Sequence, residues 1–92
     1  MANMNKTYLK ELFKMVFQIT PYHYLIHERI KAAKSILQHQ PHLSLQEVAI
    51  ACGFNDYNNL RRAFYVTEKI TLAQWQKLTD IIGILFLLDN TI

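Results

Sequence analysis

Four residues punctuate this chain: Pro21, Pro41, Gly53 and Gly83 are its only prolines and glycines. An all-β fold of many tight turns draws on those residues for its backbone angles, so a sequence this poor in them is expected to be helical. Three of the four also fall between stretches of helical periodicity, where a helix would start or stop. With 92 residues there is room for one small domain and one core. A hydrophobic share of 51% against 18% charged residues excludes a disordered tail as the whole explanation.

Local signals divide the chain into five segments. From Asn5 to Phe17, Tyr8, Leu9, Leu12, Phe13, Val16 and Phe17 repeat at helical spacing, while Lys6, Lys10 and Lys14 recur every four residues along another face. Thr20-Pro21 gives a start signal for a second helix, because Thr caps free amides and Pro is pre-set for the first helical position. Leu25, Ile26, Ile30, Ala33, Ile36 and Leu37 are its expected apolar side, and it should run to about Gln38, with Pro41 barring continuation. Ser44-Leu45-Gln46-Glu47 reads as a capping box in which the Ser and Glu side chains each satisfy a backbone amide. The short helix it opens should bury Leu45, Val48, Ala49 and Ala51 and stop at Cys52-Gly53, where glycine takes the left-handed conformation. Asn55-Asp56 caps a fourth helix, from about Tyr57 to Thr67, with Leu60, Ala63 and Phe64 inward. Thr71-Leu72-Ala73-Gln74 opens a last helix with Trp75 and Leu78.

Charge is unevenly distributed. Residues 1–79 hold all ten Lys and Arg against five acids, a balance of +5, and residues 80–92 hold Asp80 and Asp89 with no base. A basic body favours a polyanion such as nucleic acid. The single Cys52 permits no internal disulfide and sits in an apolar setting before a turn glycine, so it reads as a small core residue rather than a nucleophile. The start of the chain lacks the pattern of a signal peptide, and the apolar run Ile81 to Leu88 is far short of the roughly 20 residues that cross a bilayer. A cytoplasmic protein without a membrane partner is expected. His23 and His27 are four apart and His39 and His42 flank Pro41, but no further ligands complete a metal site, so all four are expected to be solvated. No phosphate-cradling glycine loop is present. Neither an enzyme nor a cofactor is expected.

The strongest functional pattern lies at 44–66. Two short helices joined by a glycine-centred turn, the second carrying Asn58, Asn59, Arg61 and Arg62, have the layout of a helix-turn-helix. Arg pairs with guanine acceptors, Asn with the adenine edge, and Tyr57 reaches a phosphate or a thymine methyl. Positions 57, 58, 61 and 62 lie on adjoining turns, opposite Leu60 and Phe64.

Residues 4–76 resemble the DNA-binding domain of the AraC/XylS family of bacterial transcription regulators. The resemblance is carried by Tyr8-Leu9-x-x-Leu12-Phe13-Lys14 and by Thr20-Pro21-x-x-Tyr24-Leu25-x-x-x-Arg29-Ile30-x-x-Ala33-Lys34-x-Ile36-Leu37. It continues through Ser44-Leu45-x-Glu47-Val48-Ala49-x-x-x-Gly53-Phe54-x-Asp56, Leu60-x-Arg62-x-Phe64 and Thr71-x-x-x-Trp75. It implies an all-α fold of two helix-turn-helix units joined by a long linker helix: residues 5–17 as a first recognition helix, 22–38 as the linker and 56–66 as a second recognition helix. It also implies that Thr7 and Lys10 face a DNA groove from the first, and Tyr57, Asn58, Arg61 and Arg62 from the second. Arg29 matches a linker arginine expected to bridge the two halves through hydrogen bonds, and Ser44 a position near phosphate at a helix N-terminus.

The sequence also departs from the family. Only about four residues precede the first recognition helix, where members carry two more helices, so one complete and one truncated helix-turn-helix are expected, within a domain of residues 1–79. Glu11 stands where an arginine is usual, and a carboxylate there is repelled by phosphates. Gln18 and Lys69 replace usual glycines and Leu72 a usual proline, which bears on both turns. The family pattern does not require the apolar stretch 81–88 within the extension 80–92. It is expected to fold back on the uncovered face of residues 8–17, with deletion destabilising the protein, or to pair with that face on another chain, a second copy or a partner regulator. An accidental, disordered extension is the bland alternative. Sequence-specific binding of double-stranded DNA in transcription regulation is the expected function. A protein-interaction module or a decayed fragment without useful DNA affinity is the other reading.

Overall fold

A computed structural model describes residues 5–90, all of whose regular structure is helical. The five helices are α1 (Lys6–Phe17), α2 (Pro21–His39), α3 (Leu45–Ala51), α4 (Tyr57–Glu68) and α5 (Leu72–Asn90). Four begin where a side chain caps the first turn: Asn5, Thr20, Ser44 and Asp56 each accept a backbone N–H three residues on. Thr71 and Gln74 do the same reciprocally for α5, the Thr71 hydroxyl accepting from the Gln74 amide at 3.1 Å and the Gln74 side chain from the Thr71 amide at 2.9 Å. At Ser44 the expected reciprocity is altered. Its hydroxyl accepts from the Glu47 amide and donates to the Glu47 carboxylate, both at 3.1 Å, so that carboxylate takes a hydroxyl proton instead of a backbone amide.

The usual glycine positions keep their geometry without glycine. Gln18 and Lys69 end α1 and α4 with φ of 66° and 67°, in the left-handed region, each closing its helix by a backbone bond of 2.8 Å to the carbonyl four residues back. A side chain in that conformation costs about 1–2 kcal/mol. Leu72 contributes burial where proline would have contributed rigidity, for its side chain is almost wholly enclosed.

The core is a three-helix cluster. Ile30 and Ala33 of α2, Val48 and Ala49 of α3 and Leu60 and Phe64 of α4 are buried together, with Cys52 and Phe54 from the turn and Leu72 from the start of α5. Trp75 packs edge-on to Phe64 at 5.7 Å between ring centroids. A 2.6 Å ion pair, Lys34 Nζ to Glu68, ties the middle of α2 to the end of α4 and is about two-thirds shielded from solvent. Leu25 and Ala51, expected inside, are exposed.

The flanks are different. α1 buries none of its residues and touches only α2, chiefly through Phe13 and Phe17, 4.4 Å apart between centroids and 5.4 and 5.5 Å from the Tyr24 ring. The expectation that 81–88 folds back on residues 8–17 is not met: α5 runs on as one helix through Gly83 and touches only α4, and no contact joins it to α1 among the described residues. A helix that leaves the body straight after Trp75 has no turn with which to reverse. The resulting shape is elongated, with extents of 61 × 30 × 22 Å and a radius of gyration of 17.3 Å. A compact domain of this length would have a radius of gyration of about 12 Å.

Candidate nucleic-acid interface

The turn between α3 and α4 fixes the angle of the helix that carries the candidate base-reading residues. Gly53 has φ +98°, an angle that favours glycine, and a Cβ there would lie 2.9 Å from Nε of Arg29 and push that side chain aside. The Gly53 amide donates to the Ile50 carbonyl and the Phe54 amide to that of Ala49, at 3.1 and 2.9 Å, which closes α3. Phe54 then enters the core, and Asp56 caps α4 by accepting from the Asn59 amide at 2.9 Å. A further clamp was not legible in the sequence: Oε1 of Gln46, on α3, accepts the free Tyr57 amide at 3.0 Å. It links residues eleven apart, so no local pattern announces it.

On this anchored helix Leu60 and Phe64 point inward, while Asn58, Arg61 and Arg62 are exposed and Tyr57 is half-buried against the core. Arg62 is restrained, donating from Nε to the Asn58 carbonyl at 3.4 Å and from Nη2 to Asn59 Oδ1 at 3.1 Å. Arg61 has no hydrogen bond or ion pair within the described chain and extends into solvent. The helix thus presents one oriented and one unengaged guanidinium beside an amide, the donor set that reads guanine and adenine edges in a major groove.

The remaining predicted residues lie elsewhere. Thr7 and Lys10 are exposed on α1, which reaches the α3–α4 unit only through α2. At roughly 3.6 residues per turn, Thr7 and Lys14 lie on the side of α1 opposite Leu9 and Val16, with Lys10 at the margin. Ser44 begins α3, its hydroxyl engaged by Glu47 as described. Arg29 bridges α2 to the turn, but by packing: its guanidinium carbon lies 5.9 Å from the Phe54 ring centroid, and the expected hydrogen bonds are absent among the described residues. Cys52 is buried and donates its thiol to the Val48 carbonyl at 3.1 Å; burial pushes its pKa up, only partly opposed by a backbone hydrogen bond and then by Arg29, and so keeps it in the unreactive thiol form. Among the described residues no group of side chains could hold a metal ion, and no helix is long and apolar enough to cross a membrane.

A glycine-turned pair of short helices with a basic outer face on the second defines a helix-turn-helix protein. Comparison with known proteins agrees: a family model described as a helix-turn-helix domain matches residues 1–78. The HTH-type transcriptional activators RhaR of Salmonella arizonae, Salmonella newport and Salmonella enteritidis PT4 are each 33% identical over 72 residues, which is 78% of this chain and 25% of theirs. No solved structure gives a significant match. The chain belongs to the AraC/XylS family of bacterial DNA-binding transcription regulators, and what it carries is the family's helix-turn-helix domain. That family is not a class of enzymes. The chain spans about a quarter of the length of the relatives it matches.

Proposed function

We propose that the chain binds double-stranded DNA sequence-specifically by laying α4 in a major groove, with Arg61, Arg62 and Asn58 at base edges and Tyr57 at the rim. The observation that carries this reading is the contrast across α4: one face locked by Leu60, Phe64, the Asp56 cap and the Gln46 clamp, the other bearing two arginines that face no acid. Thr7 and Lys10 on α1 would add a second, weaker contact, set back by Glu11 among phosphates, and Ser44 would stand near the backbone. Gel-shift titration over a randomised duplex library tests it. Arg61→Ala should lower affinity for the selected sequence by about 1–3 kcal/mol and relax the preference at one base pair, with the helical signal unchanged. Unaltered discrimination in both Arg61→Ala and Arg62→Ala would overturn the reading.

A second reading is favoured by the uncovered apolar surfaces. A shallow groove on α1, formed by Leu9, Leu12, Phe13 and Val16, is edged by Lys6 and Lys10. The outer part of α5 presents Ile81, Ile82, Leu85 and Phe86 with Asp80 and Asp89 and no base. Apolar faces of similar length, about 12 Å at roughly 1.5 Å per residue, with opposite charges at their margins, match α5 of a second copy to α1 of the first. Such pairing leaves Thr7, on the other side of α1, open to DNA but takes Lys10, at the edge of the groove, into the contact. Size-exclusion chromatography across a concentration series checks it. The full chain should elute as a dimer that resists salt, and a chain lacking 81–92 as a monomer; equal elution of the two excludes it.

A further inference from the structure

The half-buried Arg29 is the clue to a second site. Its guanidinium, with five donors, has no hydrogen-bond acceptor and no carboxylate partner within the described chain, and its carbon stands 5.9 Å from the Phe54 ring centroid. Its nitrogens are not sealed from solvent, so the unused donors are open to an acceptor that enters beside them. Arg29 lies in an open cleft of about 840 Å³ between α2 and α4, whose lining holds Arg29, Arg62, Lys69, His23 and His27 and no carboxylate. The acids of the same two helices and their caps are spent elsewhere, Glu28 on Lys31, Glu68 on Lys34 and Asp56 on the start of α4. Asn55 adds a neutral amide at the rim. His23 gives one ring nitrogen to Thr20 at 2.7 Å, and His27 is unengaged.

We infer that this cleft binds a phosphate group, with Arg29 as its floor and His27 and Lys69 at its sides, next to the base-reading Arg62. Donors lining the cleft from α2 and from the end of α4 suit a tetrahedral anion with several acceptor oxygens better than a planar carboxylate, which one arginine would satisfy alone. Arg62 also lies on the outer face of α4, so the phosphate within reach is one of the DNA backbone beside the groove that α4 enters. That source rests on the DNA-binding reading above; a free phosphate ligand would use the same donors. The site also accounts for lysine at position 69, where the left-handed backbone would favour glycine: the cleft gains a cation at the expense of local strain.

The test uses the full chain, labelled for NMR, titrated with inorganic phosphate at constant ionic strength and then with a selected duplex carrying one neutral methylphosphonate at each backbone position in turn. Inorganic phosphate should shift Arg29 Nε–H, the amides of Gly53 to Asn55 and the His27 ring in a saturable manner, and Arg29→Gln should abolish this. His27→Gln, at an exposed position, should weaken phosphate binding severalfold and covers the case in which Arg29→Gln unfolds. Lys69→Gly should raise the melting temperature while lowering phosphate affinity, a pairing that a purely structural lysine does not give. One methylphosphonate should reduce wild-type DNA affinity about tenfold, the worth of a charge-assisted hydrogen bond, and have no further effect in Arg29→Gln. Saturable phosphate binding without duplex binding would keep the site, assign it to a free phosphate ligand and sink the DNA reading. Duplex binding with linear shifts scattered over Lys6, Lys10 and Lys77, and no methylphosphonate coupled to Arg29, would overturn the site and leave the DNA reading intact.

Discussion

α1 and α2 carry the same kind of apolar periodicity and meet opposite fates. Ile30 and Ala33 of α2 are sealed because α3 and α4 each lay a complementary face on them, whereas Leu9, Leu12 and Val16 of α1 remain open because only α2 reaches that helix, and from one side. α5 repeats the contrast within one helix: Leu72 is buried, and the stretch from Ile81 to Leu87 lies in solvent. Amphipathic pattern therefore marks a face that needs a partner, and only packing supplies one. The central α2–α4 body should behave as the cooperative unit, with α1 and the outer half of α5 joined to it by few contacts.

That division can be broken most severely in the body. Leu60→Ala removes a fully enclosed side chain and should cost about 2–5 kcal/mol, a large share of the stability of so small a domain, read as a fall in the urea midpoint. The equivalent change on the flank, Leu9→Ala, should leave the midpoint nearly unmoved. Gly53→Val, combining a disfavoured φ with a contact at Arg29, should cost about 1–3 kcal/mol in thermal melts and disturb the shifts of α4. Asp56→Ala, which strips the cap of α4, should cost about 1 kcal/mol and fray the end nearest Asn58, with faster amide exchange there. Gln18→Gly, at a left-handed position, should stabilise α1 by about 0.5–1 kcal/mol and, if the flank is as loosely coupled as its packing indicates, leave the global midpoint in place. The smallest effect belongs to deletion of 81–92: because α5 beyond Trp75 adds nothing to the core, the body should melt at the same temperature, contrary to the expectation that the tail covers α1.

Much of the fold was written in short-range chemistry. Thr20-Pro21, the caps at Ser44, Asp56 and Thr71 and the glycine at 53 locate helix ends to within a residue or two, because each acts through bonds spanning three or four positions. Most of the outward set on α4 was legible for the same reason: once Leu60 and Phe64 are inside, the helical repeat puts Asn58, Arg61 and Arg62 outside, whereas Tyr57, expected outside with them, is half-buried against the core. What stayed hidden depends on residues distant in sequence. Gln46 reaches Tyr57 across the turn, Lys34 reaches Glu68 between α2 and α4, and Arg29 stacks on Phe54 instead of finding the hydrogen bonds expected of it.

The sequence alone thus determined five helices, most of their ends and a basic outer face on α4, since local hydrogen bonding and periodicity are properties of neighbouring residues. Tertiary structure decided which apolar faces are buried, left α1 and the outer half of α5 facing water, and gathered Arg29, Arg62, Lys69 and two histidines around one cleft. Those outcomes follow from how the helices cross, and a crossing is set by the volumes of side chains meeting from different parts of the chain, which no single segment contains.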